Sequence, residues 1–250
     1  MNNQTMEKLY QMRLVTMAEG FKEQMNTPSQ SSLSFEERFG MIVDREWTAR
    51  ENRKLQTRLK AAHLKLNASI EDIDYRHPRG LDKSLVLSLA SCQWIKEHHN
   101  IIITGPTGIG KTYIAEAFAN KACREGHSAV RFRSTRLLRE LAVARGDGSY
   151  IKLLTRLAKM EVLIIDDWGL TPLSEDERKD FLEVMEDRHG LRSTIITSQY
   201  PVAKWHDLIG EPTLADAILD RIVHNAHKFT LKGESLRKTK AKLTHPDHQR

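Results

Sequence analysis

The 250-residue chain contains only two cysteines, Cys92 and Cys123, and no C-x-x-C pair. That excludes a disulfide framework and a zinc ribbon, and it fits a reducing compartment. Aromatic residues make up only 6% of the chain and few stand among its basic segments, so a base-stacking platform for single-stranded nucleic acid has little to build on. No apolar run is long enough to cross a bilayer, and the opening "MNNQTMEKLYQMRL" lacks the apolar stretch of a signal peptide. We therefore expect a soluble, cytoplasmic protein with no membrane partner. Internal repeats and extended low-complexity segments are absent, as are zinc-finger spacings and a helix-turn-helix that would read bases. His98 and His99 have no cysteine or acidic cluster nearby at ligand spacing, so they read as a surface pair before a strand rather than as a metal site.

Positive charge is present in excess, 39 Lys and Arg against 33 Asp and Glu, a net of +6. This balance favours a polyanionic partner, most often nucleic acid. Its placement is uneven. Residues 45–65 hold seven basic residues against two acidic ones, a net of +5, and residues 131–160 hold eight against two, a net of +6. Residues 161–200 carry a net of −6, from four basic and ten acidic residues. Arg50, Arg53, Lys54 and Arg58 in the first segment, and Arg131, Arg133, Arg136 and Arg145 in the second, are the candidates for contacts to a phosphate backbone. With no base-reading element, double-stranded DNA gripped with little sequence preference is the expected polymer. The competing reading is a solvated helix face. Arg145 and the "GDGS" after it read as a loop, a candidate to point into the lumen of a ring.

Two regions differ in pattern. Leu9, Met12, Met17, Phe21 and Met25 recur at helical spacing, and a polar break "NTPSQSS" follows. Ser34 with Glu37 three residues on is a capping box that starts the next helix, where Phe35, Phe39, Ile42, Val43 and Trp47 keep the period. Residues 1–66 thus read as a small all-helical domain for DNA binding or oligomerisation. A linker with the breakers Pro78 and Gly80 leads into residues 67–240. There the strands "NIIITG", "AVRFRS", "VLIIDD", "STIITSQ" and "HKFTL" alternate with helical segments, including one over "LDKSLVLSLASCQWIKEH" and one capped by Ser174 and Glu177. That alternation predicts an α/β fold, a parallel sheet flanked by helices. Residues 241–250 read as a flexible tail. Trp47, Trp94, Trp168 and Trp205 read as packing residues, with a subunit interface as the alternative for Trp168.

"GPTGIGKT", Gly105 to Thr112, reads G-x-x-x-x-G-K-T between a strand and a helix. Gly105, Gly108 and Gly110 let backbone N–H groups turn inward around phosphates, with Pro106, Thr107 and Ile109 completing the loop. Lys111 is the candidate to reach the β- and γ-phosphates, and the Thr112 hydroxyl is the candidate Mg²⁺ ligand. "VLIIDD" buries a strand and presents carboxylates at its end. Asp166 is the candidate on the Mg²⁺ side, acting through water, and Asp167 the candidate to orient or deprotonate the attacking water. Gln199, at the end of "IITSQ", is the candidate to hold that water. These residues describe an ATPase with ATP and Mg²⁺ as its cofactors.

The order of P-loop, "LIIDDWG", "TSQ", "ILDRI" and "GESLR" resembles an AAA+ ATPase, and within that group the IstB-type transposition helper ATPases and the DnaC-type helicase loaders. The resemblance covers about Ile70 to Arg237; the first 65 residues also resemble the helical N-terminal region of IstB-type proteins, less distinctively. It implies that Gln199 is sensor 1, that Arg221 is an arginine finger completing a neighbour's site, and that Arg237 is sensor 2. A surface ion pair is the plainer role for each arginine. Asp167 stands where AAA+ proteins usually carry Glu, although IstB-type proteins commonly carry Asp there; the shorter side chain predicts slow hydrolysis until DNA or a partner stimulates it. What the resemblance implies is a homo-oligomer, helical or an open ring, that forms on duplex DNA, bends it, and recruits or stimulates a transposase at the target. A DnaC-type loader of a replicative helicase is the alternative. A P-loop kinase for a small acceptor is a more distant one, disfavoured by the "DR…GESLR" pair and the basic segments.

Overall fold

A computed structural model describes residues 2–27 and 33–236. Arg237 and the tail over 241–250 lie outside the described residues. The chain divides into two compact units, Met1–Thr57 and Arg58–Arg250.

The first unit contains α1 (Asn2–Gln11), α2 (Val15–Asn26) and most of α3 (Phe35–Ala62). The helical period over residues 1–26 is interrupted: Arg13 takes φ +59°, and Leu14 N–H closes back on Leu9 O at 2.9 Å, so two helices form where one pattern ran. The capping box of α3 is present, with Ser34 N donating to Glu37 Oε2 at 2.8 Å and Glu37 N donating to Ser34 Oγ at 3.2 Å. Ala18, Ile42 and Glu46 are buried. Glu46 is the polar centre of the unit and accepts from Met17 N at 3.0 Å and Arg50 Nε at 2.7 Å. Burial works against its ionisation, but hydrogen bonds from Arg50 and Met17 N–H outweigh it and hold the carboxyl below its ordinary range. Trp47, expected to pack, is 65% exposed. The side of α3 that meets α2 carries Ile42 and Glu46, and Phe35, Phe39, Val43 and Trp47 form an exposed row at intervals of four residues.

In the second unit α3 ends against the helix that follows the P-loop: Arg58 Nη1 donates to Cys123 O at 2.6 Å. Next come α4 (Lys83–Leu89), capped by Asp82, and α5 (Gln93–Lys96). These were expected to be continuous, but Cys92 adopts a left-handed φ of +60° between them. The remaining order is β1 (Asn100–Thr104), α6 (Lys111–Arg124), β2 (Ala129–Arg133), α7 (Ser134–Asp147), α8 (Tyr150–Lys159), β3 (Val162–Trp168), α9 (Glu175–Glu186), β4 (Ser193–Ser198), α10 (Trp205–Ile209), α11 (Pro212–Val223) and β5 (Ala226–Thr230). "GDGS" is less of a turn than its composition predicts, since α7 runs on through Gly146 and Asp147 and stops at Gly148, φ +78°.

The five strands form a parallel sheet in the order β2-β3-β4-β1-β5. Strands β1 and β4 are buried throughout, because helices cover both faces. Ile102, Leu163, Ile165 and Ile196 join α7 to α11 in one core, and alternation along the strands turns Ile101, Ile103 and Ile164 the other way, towards α6. Trp168 lies in the first layer, stacked on Phe181 at 4.1 Å and edge-on to Trp205 at 6.3 Å. Cys92 and Cys123 are buried free thiols. Among the described residues no helix is long and apolar enough to cross a membrane.

Candidate nucleotide-binding site

The site lies at the carboxyl edge of β1, β3 and β4. A glycine-rich turn leaves β1, and α6 starts directly after it at Lys111, which leaves unpaired N–H groups and the positive end of the helix dipole facing the loop. Two glycines are required by more than phosphate approach. Gly105 has φ +147°, and a Cβ there would lie 2.5 Å from Leu231 O. Gly110 has φ +101°, and its Cβ would lie 2.4 Å from Arg79 Nη1. The outer side of the loop is therefore packed by protein. Arg79, 3% exposed, donates to Ile109 O at 2.9 Å and to Asp74 O at 3.1 Å. The segment after β5 runs beside the loop, with Leu231 N donating to Thr104 O at 2.8 Å and Leu236 N to Gly108 O at 3.0 Å.

Lys111 Nζ donates to Gly105 O at 2.7 Å and Pro106 O at 2.9 Å, so the ammonium closes the loop on itself. Burial lowers its proton affinity, and the nearby Asp167 and Asp166 work against that shift. Thr112 Oγ1 donates to Asp166 Oδ1 at 2.9 Å, which joins the two halves of the expected Mg²⁺ site. A second hydroxyl, Thr197 Oγ1 of β4, donates to the same oxygen at 2.6 Å. Hydroxyl and carboxylate oxygens are the hard donors Mg²⁺ takes. Among the described residues no group of three or more His, Cys, Asp or Glu could form an all-protein cage, and Mg²⁺ usually relies on one or two protein oxygens with water and phosphate.

A bulge ends β3 and re-aims Asp167: the β3–β4 register shifts between Ile165 and Trp168, Asp167 takes φ +61°, and both carboxylates act on Lys111. Asp tolerates that region better than most residues, and bulges often re-aim side chains beside active sites. The turn is held by Asp167 N donating to Thr197 Oγ1 at 3.0 Å and Ser134 Oγ donating to Asp167 O at 2.9 Å. Asp167 Oδ2 accepts from Arg133 Nε at 3.0 Å. Gln199 is half-buried just beyond β4, whose last carbonyl, Ser198 O, accepts from Gly105 N at 3.1 Å. Lys111, Thr112, Asp166, Asp167 and Gln199 are thus gathered at one edge of the sheet.

Arg221 is not among them. Its carbonyl accepts from Asn100 Nδ2 at 3.3 Å, which places it at the opposite end of β1. Its guanidinium meets Glu186, with Nε 2.6 Å from Oε2 and Nη2 donating to Oε1 at 2.9 Å. One DNA candidate is corrected outright. Arg131 points inward, its side chain 7% exposed between Glu116 and Asp166, because its alternation on β2 turns it towards α6. Arg145 does not project from a loop: it sits in the last turn of α7, tied to Asp180 by Nε at 2.7 Å and to Tyr150 Oη at 3.1 Å. Arg58 caps α6, while Arg50 and Arg53 bind Glu46, Lys54 binds Glu51, Arg133 binds Asp167 and Arg136 binds Glu140. Sequence reasoning missed Arg79, Glu116 and Thr197. Glu116 left a signal, a lone acid inside the apolar run of α6.

The family model described as "IstB-like ATP binding protein" matches residues 7–244. An insertion-sequence ATP-binding protein of Sinorhizobium fredii is 50% identical over 94% of this chain and 96% of its own length. The insertion sequence IS1162 ATP-binding protein of Pseudomonas fluorescens is 49% identical over 80% of this chain and 87% of its own. Among solved structures, the DnaC helicase loader aligns with a TM-score of 0.53 at 23% identity, over 66% of this chain and 97% of that one. DnaI aligns with a TM-score of 0.55 at 23% identity, over 66% and 91%. At those identities the likeness concerns the fold alone, the AAA+ P-loop arrangement of a five-stranded parallel sheet. With the family match spanning nearly the whole sequence, the chain belongs to the IstB-like ATP-binding family.

Proposed function

We propose that this chain is an ATPase that oligomerises on duplex DNA in its ATP state and recruits or stimulates the transposase of an insertion sequence. The observation that carries the nucleotide half is the Thr112–Asp166 hydrogen bond of 2.9 Å directly after the glycine loop. In this reading residues 105–112 wrap the phosphates with backbone N–H groups, and Lys111 exchanges its bonds to Gly105 O and Pro106 O for phosphate oxygens. Thr112 directly and Asp166 through water would hold Mg²⁺, which would supply positive charge against the phosphates. Asp167, re-aimed by the bulge, and Gln199 orient the attacking water. Arg221, remote from its own loop, acts in a neighbour's site, and Arg237 acts in its own. The helical domain over 1–66 and the ATPase domain over 67–240 share the DNA contacts, for which exposed Arg136 in α7 and Arg50, Arg53 and Lys54 in α3 are the best placed. The transposase half rests on the relatives being insertion-sequence proteins.

The test is gel filtration and electron microscopy with duplex DNA under ATP and under ADP, for the wild type and Arg221→Ala. Large ordered assemblies with ATP and duplex, absent with ADP and weakened in the variant, support the reading. A monomer indifferent to duplex under both nucleotides sinks it.

A further inference from the structure

Arg131 occupies an unusual position for a charged residue, a strand interior between carboxylates on two other elements. Its Nε lies 2.9 Å from Glu116 Oε1 on α6, and its Nη2 donates to Asp166 Oδ2 at the end of β3. Glu116 is itself fixed and fully buried: its second oxygen accepts from Lys65 N at 2.9 Å and Leu66 N at 2.7 Å. Asp166 is held at both oxygens, Oδ1 by the hydroxyls of Thr112 and Thr197 and Oδ2 by the arginine. Turning the carboxylate would break all three bonds together.

We propose that Arg131 is a positioning residue for the Mg²⁺–nucleotide site: it clamps Asp166 through Oδ2, keeps Oδ1 turned to Thr112, and through Glu116 ties that orientation to the helix that starts with Lys111 and Thr112. The proposal rests on the nucleotide reading of the site. Arginine suits the task because one planar guanidinium donates to Asp166 while its other side pairs with Glu116 by charge, where a lysine offers a point charge. The plainer role would be charge balance for folding alone, since removing the arginine leaves two buried carboxylates facing each other. Charge and clamp are separable. Arg131→Met combined with Glu116→Gln removes one positive and one negative charge, so the net charge is kept while the hold on Oδ2 is lost.

The experiment is a Mg²⁺ titration of the binding of a fluorescent ATP analogue to wild type, Arg131→Lys and the double variant, with thermal unfolding of each in the absence of nucleotide. We expect the folded double variant to need about tenfold more Mg²⁺ at its midpoint, as loss of a partner behind a metal ligand typically costs, with metal-free binding of the analogue unchanged. Arg131→Lys keeps the charge but not the fork and shifts the midpoint the same way by less. It carries the test alone if the double variant does not fold. A midpoint equal to or below the wild type's in a folded variant overturns the proposal. A wild type that binds no analogue at any Mg²⁺ concentration overturns the nucleotide reading, and the clamp with it.

Discussion

At the scale of single residues, the site is built from bonds with no spare partner. Gly110 illustrates this, because its left-handed φ of +101° and the Arg79 guanidinium beside it both exclude a side chain. Arg79 is buried and held by two carbonyls, so moving it aside breaks those bonds. Gly110→Ala should therefore cost about 1–3 kcal/mol of strain, read as a lower unfolding midpoint together with weakened binding of a fluorescent ATP analogue. An unchanged midpoint and affinity would mean that the loop is slacker than its contacts imply. Asp167→Asn keeps the shape of the turn and removes the carboxylate charge. It should retain nucleotide binding and lose hydrolysis by about 10²-fold or more, measured by phosphate release in single-turnover assays. The roles of Lys111, Thr112 and Asp166 were legible as candidates because their spacing along the chain is local to one loop and one strand end. Thr197 was not legible, because a threonine in an apolar strand looks ordinary until β4 is laid beside β3.

Elements add a layer that no single motif contains. Helix α3 is anchored to α2 by Glu46, whose ionised form is favoured by Arg50 and Met17 N–H despite burial. A carboxyl with a lowered folded pKa contributes stability that is complete above its unfolded value and is lost as pH falls through the folded one. Acid unfolding of the first unit, followed by circular dichroism, should thus steepen below about pH 4.3, the ordinary glutamate range. Glu46→Gln should be less stable at neutral pH and show a shallower slope there; coincident slopes would remove Glu46 from the acid response. Capping boxes, strands and most helices were readable from period and punctuation. The breaks at Arg13 and Cys92 were not, since neither is a residue that announces a left-handed turn. α7 outlasted its "GDGS" signal for a related reason: its C-terminal turn is held by Arg145 to Asp180 on α9, a contact between segments far apart in sequence.

At the scale of the whole molecule, the open matter is what Arg221 serves. Its ion pair with Glu186 is the local explanation, and a solvent-screened pair of this kind contributes little to stability. The two roles diverge under mutation. If Arg221 completes a neighbour's site, Arg221→Ala should abolish hydrolysis stimulated by duplex DNA while Glu186→Gln leaves it nearly intact, both variants binding nucleotide as the wild type does. Equal losses in both would reduce Arg221 to its ion pair. Where the positive charge acts is likewise decided at this scale. The two basic segments count alike in sequence, yet in the folded chain Arg131 is interior and Arg58 and Arg145 are committed to a helix end and a carboxylate cluster.

By itself the sequence determined the nucleotide loop, the carboxylate-bearing strand behind it and the α/β order, because each is written in residues close together along the chain. Glycine spacing, β-branched runs and the 3.6-residue period act locally and need no partner to be recognised. Only the tertiary structure decided that Arg131 is a buried clamp rather than a surface cation, that a bulge re-aims Asp167 at the end of β3, and that Arg221 stands at the far edge of the sheet. Those outcomes depend on which strands lie side by side and which face a helix covers, and a charge in a sequence carries no mark of the carboxylate that will meet it across the fold.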